Sequence, residues 1–110
     1  MYGSMIRTDE STWEIVTQFN GETSTLKAQV GPWQYNWAVA TLEEYSISSC
    51  DQYPQKPLTF DTIELYDSAS SVVHPQWTNP GRTTCSGQTT IQDENTVTIQ
   101  HGSRSDSVQV

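Results

Sequence analysis

Cys50 and Cys85 are the only cysteines of the 110-residue chain, and both lie among turn-forming residues. No group of histidines or further cysteines surrounds them, so the pair does not read as a metal site. One disulfide joining two loops is the expectation. It closes a loop of about 35 residues and restricts the unfolded chain by roughly 3–4 kcal/mol. That is a large share of the net stability of a small domain. Such a bond persists in an oxidising compartment, so the chain is expected to be secreted or displayed outside the cell. The competing reading is two buried thiols in a cytosolic domain.

The length fits one domain. Only 34% of the residues are hydrophobic, but four Trp and five Tyr bury large areas each, so a thin core is expected. Thirteen acidic residues against five basic ones give a net charge of −8. That charge opposes phosphate backbones and anionic lipid surfaces, which argues against nucleic acid and membrane as partners. No apolar run approaches the ~20 residues that span a bilayer. Met1 to Glu10 has no apolar core of a signal peptide. The expectation is a chain from which a leader has been removed, or a piece of a longer precursor. No Asn-x-Ser/Thr acceptor occurs, so N-glycosylation is not expected.

Strand signals run through most of the chain. Residues 1–12 are polar and irregular and are expected to be flexible. Trp13, Ile15, Thr17 and Phe19 alternate with polar residues and share one face. Asn20-Gly21 follows, a pair in which both residues accept positive φ, and Glu22 to Val30 reads as the return strand of a hairpin. Gly31-Pro32 ends it. Trp37 to Ile47 is the most apolar stretch and reads as a strand covered on both faces. A helix is its competitor, because Ala, Leu and Glu favour helices. Leu58 to Tyr66 reads as a further strand whose apolar register switches near Asp61, which suggests a bulge there or burial on both faces. Asp67 to Ser71 is a turn, Val72 to His74 a short strand, and Trp77 to Gln88 a loop. Thr89–Gln92 and Thr96–His101 form a last hairpin, and 102–110 is a flexible tail. No helical period occurs. The expected fold is all-β: an antiparallel β-sandwich of jelly-roll or concanavalin-like type, formed by a single domain over 13–101 with one disulfide.

Four pieces carry a resemblance: Phe19-Asn-Gly-Glu-Thr-Ser-Thr25, Ala38-Val-Ala-Thr-Leu-Glu-Glu-Tyr45, Leu58-Thr-Phe-Asp-Thr-Ile-Glu-Leu65 and Thr96-Val-Thr-Ile-Gln100. Their order from Trp13 to His101 resembles the C-terminal half of the glutamic peptidases, the eqolisin family of fungal acid proteases. The resemblance spans about four-fifths of the chain. It implies a sandwich fold and places Glu43 at the second acid of the family's Ala-Glu-Trp-Ile-x-Glu strand. Val39 stands where that strand has its first Glu. Hydrolysis in this family uses a carboxylate that activates water and a Gln that steadies the oxyanion. That Gln belongs to an N-terminal half with no counterpart here, and neither Gln29 nor Gln34 matches it. The resemblance thus implies a half-length relative without the catalytic pair, or one chain of a processed two-chain enzyme.

Glu43 is the candidate catalytic acid; an ordinary solvated strand residue is the alternative. On a strand its neighbour Glu44 points to the opposite face, so the two are not a carboxylate pair. Trp33, Tyr35 and Trp37 alternate, and on a strand they form one row of rings. Such a row suits a sugar platform, a partner interface or a sandwich core. Trp77, between Pro75 and Pro80, is the candidate for an exposed loop aromatic, with Tyr53 beside Pro54 a second. His74 and His101 are too few for a zinc site. The pairs Asp9-Glu10 and Asp93-Glu94 lack the spacing of a calcium loop. No cofactor or metal is expected, and no Gly-rich phosphate loop or Gly-x-Ser-x-Gly occurs. The leading function is a secreted, non-catalytic module that self-associates or binds an extracellular partner through aromatic rows and sheet edges. The partner is a second copy, a second processed chain or a polysaccharide. The alternatives are an acid glutamic-peptidase-like chain using Glu43 and a carbohydrate-binding module.

Overall fold

Asn20 and Gly21 both adopt positive φ, 53° and 83°, and this two-residue turn matches the twist of the strands it joins. In the computed structural model, which describes residues 1–79 and 85–101, the turn links β2 (Thr12–Phe19) to β3 (Glu22–Gln29). The two pair antiparallel from Phe19↔Glu22 to Thr12↔Gln29. The expected hairpin is therefore present. A further strand, β1 (Tyr2–Arg7), pairs with β2 from Tyr2↔Gln18 to Arg7↔Trp13. This corrects the expectation of a flexible segment over 1–12. The ladder is made by backbone groups, which polar residues supply as well as apolar ones. The β1–β2 connection is tied by Asp9, whose Oδ1 accepts the amides of Ser11 (2.9 Å) and Thr12 (2.8 Å). The Ser11 amide, followed by the groups of Thr12, holds the Asp9 carboxyl below its usual range.

The chain divides into two compact units, Met1–Ala38 and Val39–Val110. The boundary falls inside the stretch expected to be one domain over 13–101. It also falls inside the expected strand from Trp37 to Ile47, and no strand forms there. Trp37, Val39 and Tyr45 are exposed. A strand is stable only with a neighbour that accepts its amides and covers its apolar face, and apolar content alone supplies neither.

In Val39–Val110, β4 (Leu58–Phe60), β8 (Thr96–Gln100) and β7 (Gln88–Asp93) form an antiparallel sheet in the order β4-β8-β7. The last expected hairpin is thus observed, with a register irregularity between Ile91 and Asp93. The expected strand over Leu58–Tyr66 is broken in two. Thr62 has a φ of 53°, and beyond it β5 (Leu65–Tyr66) pairs with β6 (Val72–Val73) rather than with β8. The switch in apolar register marks two strands of two different sheets. Asp67 makes the β5–β6 turn, its Oδ1 accepting the amides of Ala69 and Ser71, both at 2.9 Å.

Cys50 and Cys85 are disulfide-bonded, with their Cα atoms 5.3 Å apart. Both are buried, as is Val97 of β8. Cys50 opens a single 3-10 turn, Cys50–Gln52, and the Gln52 side-chain oxygen accepts the amides of Ser48 (2.7 Å) and Ser49 (3.1 Å). The fold is strand-built and antiparallel with one disulfide, as expected. Among the described residues no helix is long and apolar enough to cross a membrane. The expected tail over 102–110, and the part of the Trp77–Gln88 loop over 80–84, lie outside the described residues.

Candidate functional site

The register of Met1–Ala38 sorts its residues into two unlike faces. Directly opposed residues of an antiparallel pair share a face. Met5 lies opposite Ile15, and Ile15 opposite Leu26, so one apolar row crosses all three strands. The next row is Arg7, Trp13 and Ala28. Phe19 ends the same face at the hairpin tip. The opposite face carries Ser4, Val16 and Thr25, then Ile6, Glu14 and Lys27. Lys27 Nζ leans toward Glu14 Oε2 at 4.0 Å. One face therefore carries most of the sheet's apolar residues, interrupted by Arg7, Glu22 and the row Gly3, Thr17 and Ser24, and the other is largely polar.

That apolar face is open to solvent. Met5 is 66% exposed, Leu26 59% and Phe19 66%. Trp13 and Ile15, on the central strand, are half-buried. Burying an exposed Leu or Met side chain is worth about 1.5–3 kcal/mol, so this row holds unspent driving force for contact. The sheet order β1-β2-β3 also leaves β1 and β3 as edges with unpaired backbone groups.

The aromatic candidates do not form the expected row. Residues 33–44 adopt no strand, so no two-residue period aligns Trp33, Tyr35 and Trp37. Tyr35 instead meets Trp13 edge-on, with ring centroids 5.7 Å apart and planes at 76°. The Trp33 indole lies over Gly31, where an added Cβ would sit 3.1 Å from its Nε1. All three remain exposed, Trp37 most of all at 80%.

Glu43, the candidate acid, is exposed and outside any strand. Off a strand, Glu43 and Glu44 are not held on opposite faces by strand alternation. Its Oε2 accepts the Tyr45 hydroxyl at 3.1 Å. That bond, and then the carboxylate charge, hold the Tyr45 phenol above its usual range.

Trp77 is half-buried, not the exposed loop aromatic expected. Its Nε1 donates to the Glu94 carbonyl at 2.8 Å, so the β7–β8 turn gives the indole both cover and an acceptor. The same turn gathers other groups. His74 Nδ1 lies 2.9 Å from Glu94 Oε1, and the Ile63 amide donates to the Asn95 carbonyl at 3.0 Å. Asn95 Nδ2 returns a bond to the Ile63 carbonyl at 2.7 Å. A shallow groove of about 140 Å³ runs between this turn and the β5–β6 hairpin. Tyr66 lines it, and its hydroxyl donates to Glu64 Oε2 at 2.8 Å. The groove's ionisable groups are satisfied by one another. Tyr53 stacks on His101, centroids 4.2 Å apart, which pins the loop after Cys50 beside the end of β8. No group of three or more metal-ligating side chains exists among the described residues.

The residues missed in sequence are Met5, in a segment too polar to read as a strand, and Leu26. Leu26 lies in a strand that was legible, but its place on an edge depends on topology. Asn95 and Glu94 carried no signal beyond a turn. No protein-family model, no curated protein and no solved structure matches the chain.

Proposed function

We propose that the chain is a secreted, non-catalytic module that acts by association, with the sheet of Met1–Ala38 as its contact surface. The observation that carries this is the row Met5–Ile15–Leu26, apolar across all strands of a sheet whose outer members are more than half exposed. A sheet with one apolar face needs a second layer. The sandwich, of jelly-roll or concanavalin-like type, belongs to the same proposal. The Cys50–Cys85 disulfide supports an oxidising, extracellular setting. The deciding experiment is the solution mass of the disulfide-intact chain by sedimentation velocity across a concentration series. Association that Leu26→Lys weakens supports the proposal; a monomer at every concentration removes it.

A carbohydrate-binding module is the second reading, supported by the exposure of Trp33, Tyr35 and Trp37. It expects tryptophan fluorescence to shift on titration with glycans and to lose that response in Trp33→Ala or Trp37→Ala. The resemblance to glutamic peptidases raises a third, in which Glu43 activates water. It expects cleavage of a denatured protein at acid pH, lost in Glu43→Gln. The Tyr45 hydroxyl is the partner the geometry offers Glu43, and it is not the amide that steadies an oxyanion in that chemistry.

A further inference from the structure

The edge strand β3 has a pairing parity that fits a second copy of itself. The Val30 amide donates to the Ser11 carbonyl at 2.8 Å. Ser11 and Val30 continue the β2–β3 register by one step beyond Thr12↔Gln29. Hydrogen-bonded and non-hydrogen-bonded pairs alternate along an antiparallel ladder. Residues 24, 26 and 28 therefore turn their backbone groups toward β2. The N–H and C=O groups of Thr23, Thr25, Lys27 and Gln29 point outward, away from the sheet.

We infer that β3 pairs antiparallel with β3 of a second copy about a two-fold axis perpendicular to the sheet, with Leu26 opposite its own symmetry mate. This rests on the association proposed above and names its partner and register. Two requirements meet in that register. The outward residues must face outward residues, which allows Thr25 opposite Lys27 of the second copy and Thr23 opposite Gln29. The apolar faces must lie on the same side, which pairs even-numbered residues with even-numbered ones and allows Leu26 opposite Leu26 in a non-hydrogen-bonded pair. Side chains approach most closely in such a pair, with Cα atoms about 4.5 Å apart. The row Met5–Ile15–Leu26 then runs on through Leu26, Ile15 and Met5 of the second copy, across six strands.

Charge excludes one neighbouring register and the apolar row excludes the other. Sliding two residues one way sets Lys27 against Lys27, a like-charge pair that destabilises. Sliding the other way sets Leu26 against Ser24 and breaks the apolar row. In the chosen register Lys27 faces Thr25 and keeps Glu14, 4.0 Å away on the adjacent strand, as its counter-ion. The remaining charge is no obstacle. Met1–Ala38 carries Arg7 and Lys27 against Asp9, Glu10, Glu14 and Glu22, so most of the chain's excess of acids lies in Val39–Val110. The other edge, β1, suits this less: Gly3 stands within it, and glycine weakens a strand.

Two variants of the whole chain test the pairing. Leu26→Cys places two thiols face to face across the axis and should give a disulfide-linked dimer under mild oxidation. Ser24→Cys, opposite Ala28, should give little. Thr25→Pro removes an amide that points at the partner and not at β2, so it should leave the monomer's strand content intact and weaken dimerisation at least tenfold. If the native chain dimerises but Leu26→Cys and Ser24→Cys cross-link alike, or Thr25→Pro dimerises normally, the edge pairing is wrong and association through another surface stands. If the native chain stays monomeric at every concentration, both fall.

Discussion

Met1–Ala38 holds three strands of six to eight residues in continuous register, yet none of its residues is buried. Val39–Val110 has strands as short as two residues, but it contains the buried Cys50, Cys85 and Val97 and the covalent bond between the two cysteines. One unit is ordered by its backbone ladder and its turn. The other is ordered by a cross-link and by side chains that reach far in sequence, such as Asn95 to Ile63 and Trp77 to Glu94. The contrast is the ground for the association proposed above: both units expose large apolar side chains, but only Met1–Ala38 lays Met5, Phe19 and Leu26 along one face of a regular sheet.

The contrast can be broken from either side. The largest effect should come from replacing both cysteines with serine. Loss of the cross-link costs roughly 3–4 kcal/mol, and it should fall on Val39–Val110 alone. Amide exchange should rise in β7 and β8 while β2 and β3 keep their protection; a uniform rise would show that the units do not differ as argued. Next in size is Gly21→Val. The space at Gly21 is open, but its φ of 83° strains a β-branched residue, by about 1–3 kcal/mol. Protection should be lost in β2 and β3 and kept in β8. Asn95→Ala removes one side-chain bond to the Ile63 carbonyl, for about 0.5–1.5 kcal/mol. A thermal melt followed at Trp77 should register it.

The smallest effect is an acid one. Asp9 has a lowered pKa in the folded sheet, so it stabilises fully above its unfolded value. That contribution fades as pH falls through the unfolded value and is gone below the folded one. Acid should therefore loosen the β1–β2 connection, and Asp9→Asn should flatten this pH dependence. An unchanged acid profile in Asp9→Asn would remove Asp9 from the account.

Legibility in the sequence followed the range of the cause. Asn20-Gly21 was legible because positive φ at both positions is a local demand. The strands around 88–100 were legible as two short runs either side of a polar turn, and the cysteine pair because no further cysteine or ligand cluster competed for it. β1 was not, since its strand character comes from pairing with β2 and Gly3-Ser4 gives no propensity for it. Trp37 to Ile47 misled, because an apolar run without a ladder partner does not become a strand. The split of Leu58–Tyr66 showed as a register switch, but its cause, two different partners, lies elsewhere in the chain. Of the site, Leu26 was legible as a strand residue. Its exposure on an edge was not, because edges are a property of strand order. Trp77 was misjudged because the carbonyl that anchors it lies 17 residues away.

Amide hydrogen exchange along β3, measured at low and high protein concentration, reads the edge pairing residue by residue. The amides of Ser24, Leu26 and Ala28 bond within the sheet and should be protected at both. Those of Thr25 and Lys27 should exchange freely when the protein is dilute and become protected as it concentrates. Exchange at Thr25 and Lys27 that ignores concentration, while the molecular mass rises, would contradict pairing along this strand.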